Sequence, residues 1–390
     1  MIVLQSWEFD GEKRYGHRAG EIASEIASGR GFSWAGDSNY VPDDSIKKTS
    51  WEAPVYPFII AAVFKVFGIY SNTSAVILIL FQIILSALCC LLIYLVGKHI
   101  FNEWTGLAGS LIFALYPAGI HFSIQKIQTT YLIVVLLLLF ILQTYELLKT
   151  PTIKECILTG VTVGIAVLTD PTLIGFFLFI LIWLLFKGQV GFQSRMIRVA
   201  VILMAVAIIN LPWQIRNYSE FGEFFLIKSN FSRELFMGNF GNQASIVAER
   251  KHMTQLNEGQ RNRLYTKKAI DSISNNPGLL VNKVIKRFIA YWTASTKKDI
   301  HKGAKIGTRD RIVGLSYLVV LIFGMAGVML ALIKHRKIQV LLLAVALLPI
   351  PYYLTWFARF RYRFPIETLM IVFASYTLYC LWDYFNSRTS

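Results

Sequence analysis

Cysteine is scarce in this chain and acids are outnumbered. Four cysteines occur in 390 residues, and Cys89, Cys90, Cys156 and Cys380 all fall in or beside apolar runs. No disulfide framework therefore holds the polar loops, and no CxxC pair offers a redox or zinc site. The six histidines are scattered. HExxH, GxSxG, Walker and GxGxxG patterns are absent, which argues against zinc hydrolysis and soluble-type nucleotide binding. Met1 to Leu4 is too short an apolar run for the core of a signal peptide.

Apolar residues are plentiful. The composition is 55% hydrophobic and 14% aromatic, with a mean hydropathy of +0.52, too oily for an ordinary soluble domain. The class is an all-α polytopic membrane protein. Its 39 Lys+Arg against 23 Asp+Glu give a net charge of +16, concentrated in connectors. That points to anionic lipid or phosphate partners and away from nucleic acid.

Runs able to cross about 30 Å of hydrocarbon, or nearly so, lie at 75–97, 105–121, 130–148, 157–169, 172–186, 199–213, 312–333, 338–355 and 365–383. This predicts about nine spans, with a tight reversal at Asp170-Pro171. The stretch APVYPFIIAAVFKVFG, with Lys65 in its middle, reads as an interfacial or partly inserted helix. Alternating the spans puts Lys98, Lys149, Lys154, Lys187, Arg195, Arg198, Lys334, Arg336, Lys337 and Arg388 on one side. By the positive-inside rule that side is cytoplasmic. Lys126 and the arginines of TWFARFRYRFPIETLM then face outward, as do a first loop (1–74) and a loop at 214–311. The chain thus divides into an N-terminal membrane module (1–213), the extracytoplasmic loop (214–311) and C-terminal helices (312–390). An outer region of some fifty residues normally follows a span, so either a first transmembrane helix lies upstream of Met1, which is the expectation, or the N-terminus is exported unaided behind the first crossing.

Four stretches can carry chemistry. In FDGEKRYGHRAGEIASEIASGRGFSW, Ala19, Ile22, Ala23, Ile26 and Ala27 share a helical face and Gly29 is placed to end the helix. Asp10 and Glu12 at its head are either acids favoured by the helix dipole or a carboxylate base or metal ligand at the membrane face. Glu52, before a proline-containing helix start, either caps that helix or joins the same site. Arg216, Lys228 and Arg233, beyond the span that ends near residue 213, are either snorkelling anchors or a phosphate clamp. Arg359, Arg361 and Arg363 pose the same alternatives. Pro365 biases Phe364 away from helix, so an extended approach would point all three arginines one way. Glu367 could pair with one and leave two free. On that basis Arg361 and Arg363 face a phosphate and Arg359 anchors at the lipid interface.

Taken in order, the acidic segment ending in RY before EIASEIASGRGFS, then WEAPVYPFIIAAVFKVFG, ALYPAGIHFS, GVTVGIAVLTDPTLI, LPWQIRNYSEFGEFFLIKSN with LFMGN, NNPGLLVNKVIKRFIAYW and RYRFP resemble the GT-C membrane glycosyltransferases. The resemblance is to the family of protein O-mannosyltransferases and lipid A aminoarabinose transferases. It implies a GT-C bundle of about nine to ten transmembrane helices, amphipathic helices in the first outer loop and a large extracytoplasmic loop. It further implies transfer of a sugar from a polyprenyl phosphate to a lipid, protein or polysaccharide acceptor, at the outer face of a bacterial inner membrane. Glu12 or Asp10, with Glu52, would then be catalytic, and Arg216, Lys228, Arg233, Arg361 and Arg363 would hold the phosphate. Glu12 and Glu52 would be the ligands if a divalent metal takes part; no other cofactor is implied. The paired acids of relatives here read Asp10-Gly11-Glu12. Gln125, Gln128, Thr129 and Thr130 stand where relatives carry a second acid. The alternatives are a weakly active or inactive relative that binds polyprenyl phosphate or assists a glycan-assembly complex, and a transporter, which the charge-poor spans disfavour.

Overall fold

The computed structural model describes residues 15, 18–34, 47–125, 127–149, 151–187, 189–241, 256–293, 308–334, 336–355 and 360–389. Asp10, Glu12, Lys126 and Arg359 lie outside the described residues. In chain order the helices are α1 (Ala19–Ala27), α2 (Val55–Phe67), α3 (Asn72–Ile100), α4 (Glu103–Ala114), α5 (Pro117–Gln125), α6 (Thr130–Leu147), α7 (Ile153–Thr169) and α8 (Ile174–Phe186). They continue as α9 (Phe192–Phe221), α10 (Phe231–Asn239), α11 (Glu258–Asn275), α12 (Pro277–Trp292), α13 (Thr308–Ile333), α14 (Gln339–Leu347), α15 (Ile350–Thr355) and α16 (Phe360–Thr389). A two-residue antiparallel ladder pairs Ser33–Trp34 with Lys47–Lys48.

Every apolar run read from the sequence is helical, and prolines explain where helices divide. The run 105–121 splits into α4 and α5, with Pro117 at the first position of α5, where its missing N–H costs nothing. The run 338–355 splits into α14 and α15 around Leu348-Pro349. Polar side chains start the helices: Ser71 accepts from Ser74 N to open α3, and capping boxes of Thr152 with Glu155 and Asn257 with Gln260 open α7 and α11. The predicted reversal after α7 is a single 3₁₀ turn, Pro171–Leu173, that Asp170 caps through Thr172 N. Gly29, at φ 82°, closes α1 as its sequence suggests.

Among the described residues five segments are long and apolar enough to cross a membrane: Asn72–Ile100, Thr130–Leu147, Phe192–Phe221, Arg311–Ile333 and Arg361–Arg388. Val55–Phe67, Pro171–Phe186 and Gln339–Thr355 are shorter apolar segments. Burial ranks them. The apolar windows of α6 and α16 are 72% and 83% buried and form the centre, whereas that of α9 is 17% buried. On α9, Met204, Ile208, Leu211 and Ile215 point outward, the pattern of a helix whose solvent is lipid.

Without a hydrophobic drive between helices in lipid, close packing carries the association. Small residues permit it here. A Cβ on Gly327 of α13 would stand 2.0 Å from Phe373 O on α16, and one on Gly160 of α7 would meet Ile202 O of α9 at 2.7 Å. Thr377 Oγ1 donates to Phe323 O at 2.6 Å beside the first contact. Gly327→Val should therefore push α13 off α16 and cost about 1–3 kcal/mol. Thermal unfolding in detergent should show a lowered midpoint, while Gly175→Ala, where a Cβ meets nothing within 4 Å, should leave it near wild type.

Candidate functional site

Two irregular segments, 49–52 and 227–229, meet beyond the ends of the membrane helices. They have no sheet to hold them, so buried polar groups must. Ser229 N donates to Ser50 O at 3.0 Å. The buried carboxylate of Glu258, at the start of α11, accepts from Thr49 Oγ1 at 2.5 Å, Ser50 N at 2.8 Å and Ser229 Oγ at 2.7 Å. From α9, Arg216 donates to Thr49 O at 2.7 Å, Ser50 Oγ at 2.9 Å and Phe32 O at 3.0 Å. Trp213 Nε1 and Asn217 Nδ2 both donate to Ile227 O. Arg216 is thus engaged as a brace for the first loop, its donors spent on two backbone carbonyls and on the Ser50 and Asn217 side chains.

This knot presents Glu52 and Lys228 to each other. Lys228 Nζ lies 3.0 Å from Glu52 Oε2, and the side chains keep 24% and 29% of their exposure, so the pair sits deep in the protein yet open to a crevice. Burial pushes the Glu52 carboxyl up, but the Lys228 ammonium, with Arg18 and Arg361 further off, outweighs it and holds the group below the usual carboxylate range. Burial lowers Lys228, but Glu52, Asp170 and Tyr362 more than restore it, leaving the ammonium above its ordinary value. Both partners are charged at neutral pH. Trp51 carries Arg18 on its ring at 5.1 Å and Arg233 at 5.4 Å, while Arg233 Nη1 donates to Glu234 at 2.9 Å.

The other wall comes from α15 and α16. Arg361 is exposed, donates to Tyr362 Oη at 2.7 Å, and acts electrostatically on Glu52. The Tyr362 ring stacks on Tyr352 at 4.6 Å. Tyr352 Oη lies 3.2 Å from Thr172 Oγ1, which donates to Asp170 at 2.8 Å. Asp170 therefore joins the crevice, a residue that reads in the sequence only as a turn former.

Arg363 departs from the extended arrangement expected ahead of Pro365. Residues 360–389 form one helix with Pro365 inside its second turn, so Arg361 and Arg363, two residues apart, face opposite ways. Arg363 is 3% exposed. Its Nε donates to Glu367 at 2.6 Å, Nη1 to Tyr291 O at 3.1 Å and Thr293 O at 2.9 Å, and its guanidinium lies 3.4 Å over Tyr317. Tyr116 Oη completes the set on Glu367 at 2.6 Å. The helix wins over the local bias of proline because it brings Arg363 and Glu367 one turn apart in a dry site. Of the residues singled out from sequence, the fold gathers Glu52, Lys228 and Arg361, sets Arg233 beside Trp51, and withdraws Arg216 and Arg363 into packing.

Among the described residues no three His, Cys, Asp or Glu side chains converge to hold a metal ion. Glu52 already carries an ammonium. An open depression of about 420 Å³ along α11, lined by Glu223, Arg263 and Asp271, contains neither Glu52 nor Lys228.

Residues 51–213 match the family model described as dolichyl-phosphate-mannose-protein mannosyltransferase. No curated protein matches the chain in sequence. Among solved structures, the fold is similar to the archaeal oligosaccharyltransferase AglB from Archaeoglobus fulgidus in complex with an inhibitory peptide and a dolichol-phosphate, at 14% identity and a TM-score of 0.56, over 97% of this chain and 46% of that one. The same enzyme tethered with an acceptor peptide gives a TM-score of 0.57 at 14% identity, over 94% and 45% of the two chains. ArnT from Cupriavidus metallidurans bound to undecaprenyl phosphate matches at 10% identity and a TM-score of 0.40, over 97% and 76%. The chain spans under half the length of AglB. It is an integral, all-α polytopic membrane protein with the GT-C fold.

The charge state of the pair sets its pH dependence. A depressed carboxyl contributes stability above its unfolded pKa of about 4.3, lost as pH falls through the lower folded value; a raised ammonium contributes below about 10.4, lost as pH rises through the higher folded value. The stability difference between wild type and Glu52→Gln should be flat from pH 6 to 9 and should shrink below pH 4 in thermal unfolding. A difference that collapses between pH 6 and 7 would mean the pair is not ionised as described.

Proposed function

We propose that this protein is a glycosyltransferase that moves a sugar from a polyprenyl phosphate to an envelope acceptor on the extracytoplasmic face of a bacterial cytoplasmic membrane. The observation that carries this is the crevice itself. Arg361 stands in the first turn of the apolar helix α16 and Lys228 in the irregular segment between α9 and α10, so a lipid tail can lie along the apolar helices while its phosphate meets cations. The GT-C fold shared with AglB, whose structure holds a dolichol-phosphate, supports the reading, as does the family match over 51–213.

In this scheme the acceptor hydroxyl gives its proton to a carboxylate and its oxygen attacks the anomeric carbon from the face opposite the phosphate. The bond from that carbon to the phosphate oxygen breaks, and the polyprenyl phosphate leaves with the electron pair. Lys228 and Arg361 stabilise the charge that grows on the departing oxygens. Glu52, whose carboxyl is held low, is a weak base and a strong orienter of Lys228, so Asp10 or Glu12 is the better base. Arg233 flanks the site through Trp51. Arg216 and Arg363 act as braces. Among the described residues the donors around Glu52 do not fit a metal, and no step is assigned to one.

Comparing envelope glycolipids and glycoproteins with and without the gene should reveal one missing glycan species, restored by wild type. Lys228→Gln should restore it about 10²- to 10³-fold less efficiently, the scale of losing one preorganised charge stabiliser. Arg361→Lys should also fall short, since Lys lacks the planar paired donors. An unchanged envelope on deletion would refute the assignment. Binding of polyprenyl phosphate with no transfer from any donor would favour a non-catalytic relative, which the amides and hydroxyls of Gln128, Thr129 and Thr130 in place of a second acid make a definite alternative.

A further inference from the structure

Helix α12 presents an uncovered apolar stripe beside the membrane helices. Val281, Ile285, Phe288 and Ile289 are 50–55% exposed and, with half-buried Trp292, recur at helical spacing on one side. The opposite side is packed: Arg287 Nη1 donates to Asn239 Oδ1 at 2.8 Å and Tyr353 O at 3.0 Å, and Tyr291 Oη donates to Tyr362 O at 3.2 Å. Asn282 and Lys286, both exposed, border the stripe. The helix has three cations, Lys283, Lys286 and Arg287, and no acid. Burial, and after it Arg287 and Lys286 nearby, push the Lys283 ammonium down, and its Nζ donates to Asn239 O at 2.7 Å on the packed side.

What covers the stripe follows from where α12 ends. Arg363, in the first turn of α16, holds Tyr291 O and Thr293 O, and Tyr317 Oη of α13 donates to Trp292 O at 3.3 Å. Both α13 and α16 are long and apolar enough to cross the membrane. The C-terminal end of α12 is thus fixed near the ends of two spans, at the depth where hydrocarbon gives way to headgroups. Sixteen residues reach about 24 Å, and three cations along that length suit a helix lying on a bilayer rather than crossing it.

We propose that α12 is a membrane-surface helix whose Val281–Trp292 stripe inserts into the lipid at the level of the headgroups, with Lys286 drawing anionic headgroups to its edge. Through Arg287 on Tyr353 O and Leu354 O, and Tyr291 on Tyr362 O, the bilayer surface then sets the position of the α15–α16 wall that carries Arg361. The proposal stands independently of the sugar-transfer reading.

The test uses the full chain reconstituted in nanodiscs, with a nitroxide on Ile285→Cys or on Asn282→Cys and labelled wild type as background for the four native cysteines. Power-saturation spectra against oxygen and a water-soluble nickel chelate report depth. Ile285 should be more accessible to oxygen than to nickel, and Asn282 the reverse. Replacing a third of the phosphatidylcholine by phosphatidylglycerol should deepen Ile285, and Lys286→Gln should remove that deepening. Nickel reaching both sites equally would place the stripe in water and overturn the proposal. Neither reagent reaching Ile285 would mean that protein covers it, and would overturn it as well. Depth indifferent to phosphatidylglycerol would overturn the anionic preference.

Discussion

The site depends on one buried carboxylate. Glu258 accepts from Thr49, Ser50 and Ser229, and so ties together two loop segments that make no regular structure, one 29 and the other up to 209 residues from Glu258 along the chain. Desolvating a carboxylate is expensive unless its oxygens are fully engaged, and three donors meet that requirement. Because Ser50 and Ser229 are the near neighbours of Glu52 and Lys228, the same bonds that satisfy Glu258 set the spacing of the reactive-looking pair. Arg216 supplies the complementary positive charge from α9.

A second buried charge does similar work at the opposite wall. The Arg363–Glu367 pair joins α16 to α12, α13 and the α4–α5 joint through Tyr291, Tyr317 and Tyr116. Breaking such a pair costs about 3–5 kcal/mol because the remaining charge is stranded, so it fixes the start of α16 against its neighbours. Between the two rigid knots lies a crevice in which Glu52, Lys228, Asp170 and Arg361 remain accessible. Rigid support with a few ionised groups left open is what charge stabilisation of a leaving phosphate asks of a protein.

Much of the fold was legible in the sequence, because lipid leaves few options. Apolar runs must be helices with internal hydrogen bonds, and all of them are. The face of α1 and its end at Gly29 were legible from spacing, as was the Asp170-Pro171 reversal. The roles of individual charges were not. Arg216 and Arg363 look in sequence like Arg361, since all lie at helix ends, and only tertiary contacts reveal that two of them are spent on backbone carbonyls and a buried acid. Glu258 and Asp170 were missed because their partners lie far off in sequence or come from neighbouring helices. One signal was available: Glu367 stands four residues after Arg363, the spacing of a helical ion pair, and it argued for helix through Pro365. The expected base candidates Asp10 and Glu12 fall outside the described residues.

The central claim is that a lipid-linked phosphate sits between Lys228 and Arg361. Photo-crosslinking with a polyprenyl phosphate that carries the reactive group next to its phosphate, followed by peptide mapping, tests it directly. Adducts are expected within 225–233 and 350–365, lost when excess unmodified polyprenyl phosphate competes. Competed adducts confined to α11, around the depression lined by Glu223, Arg263 and Asp271, would contradict it.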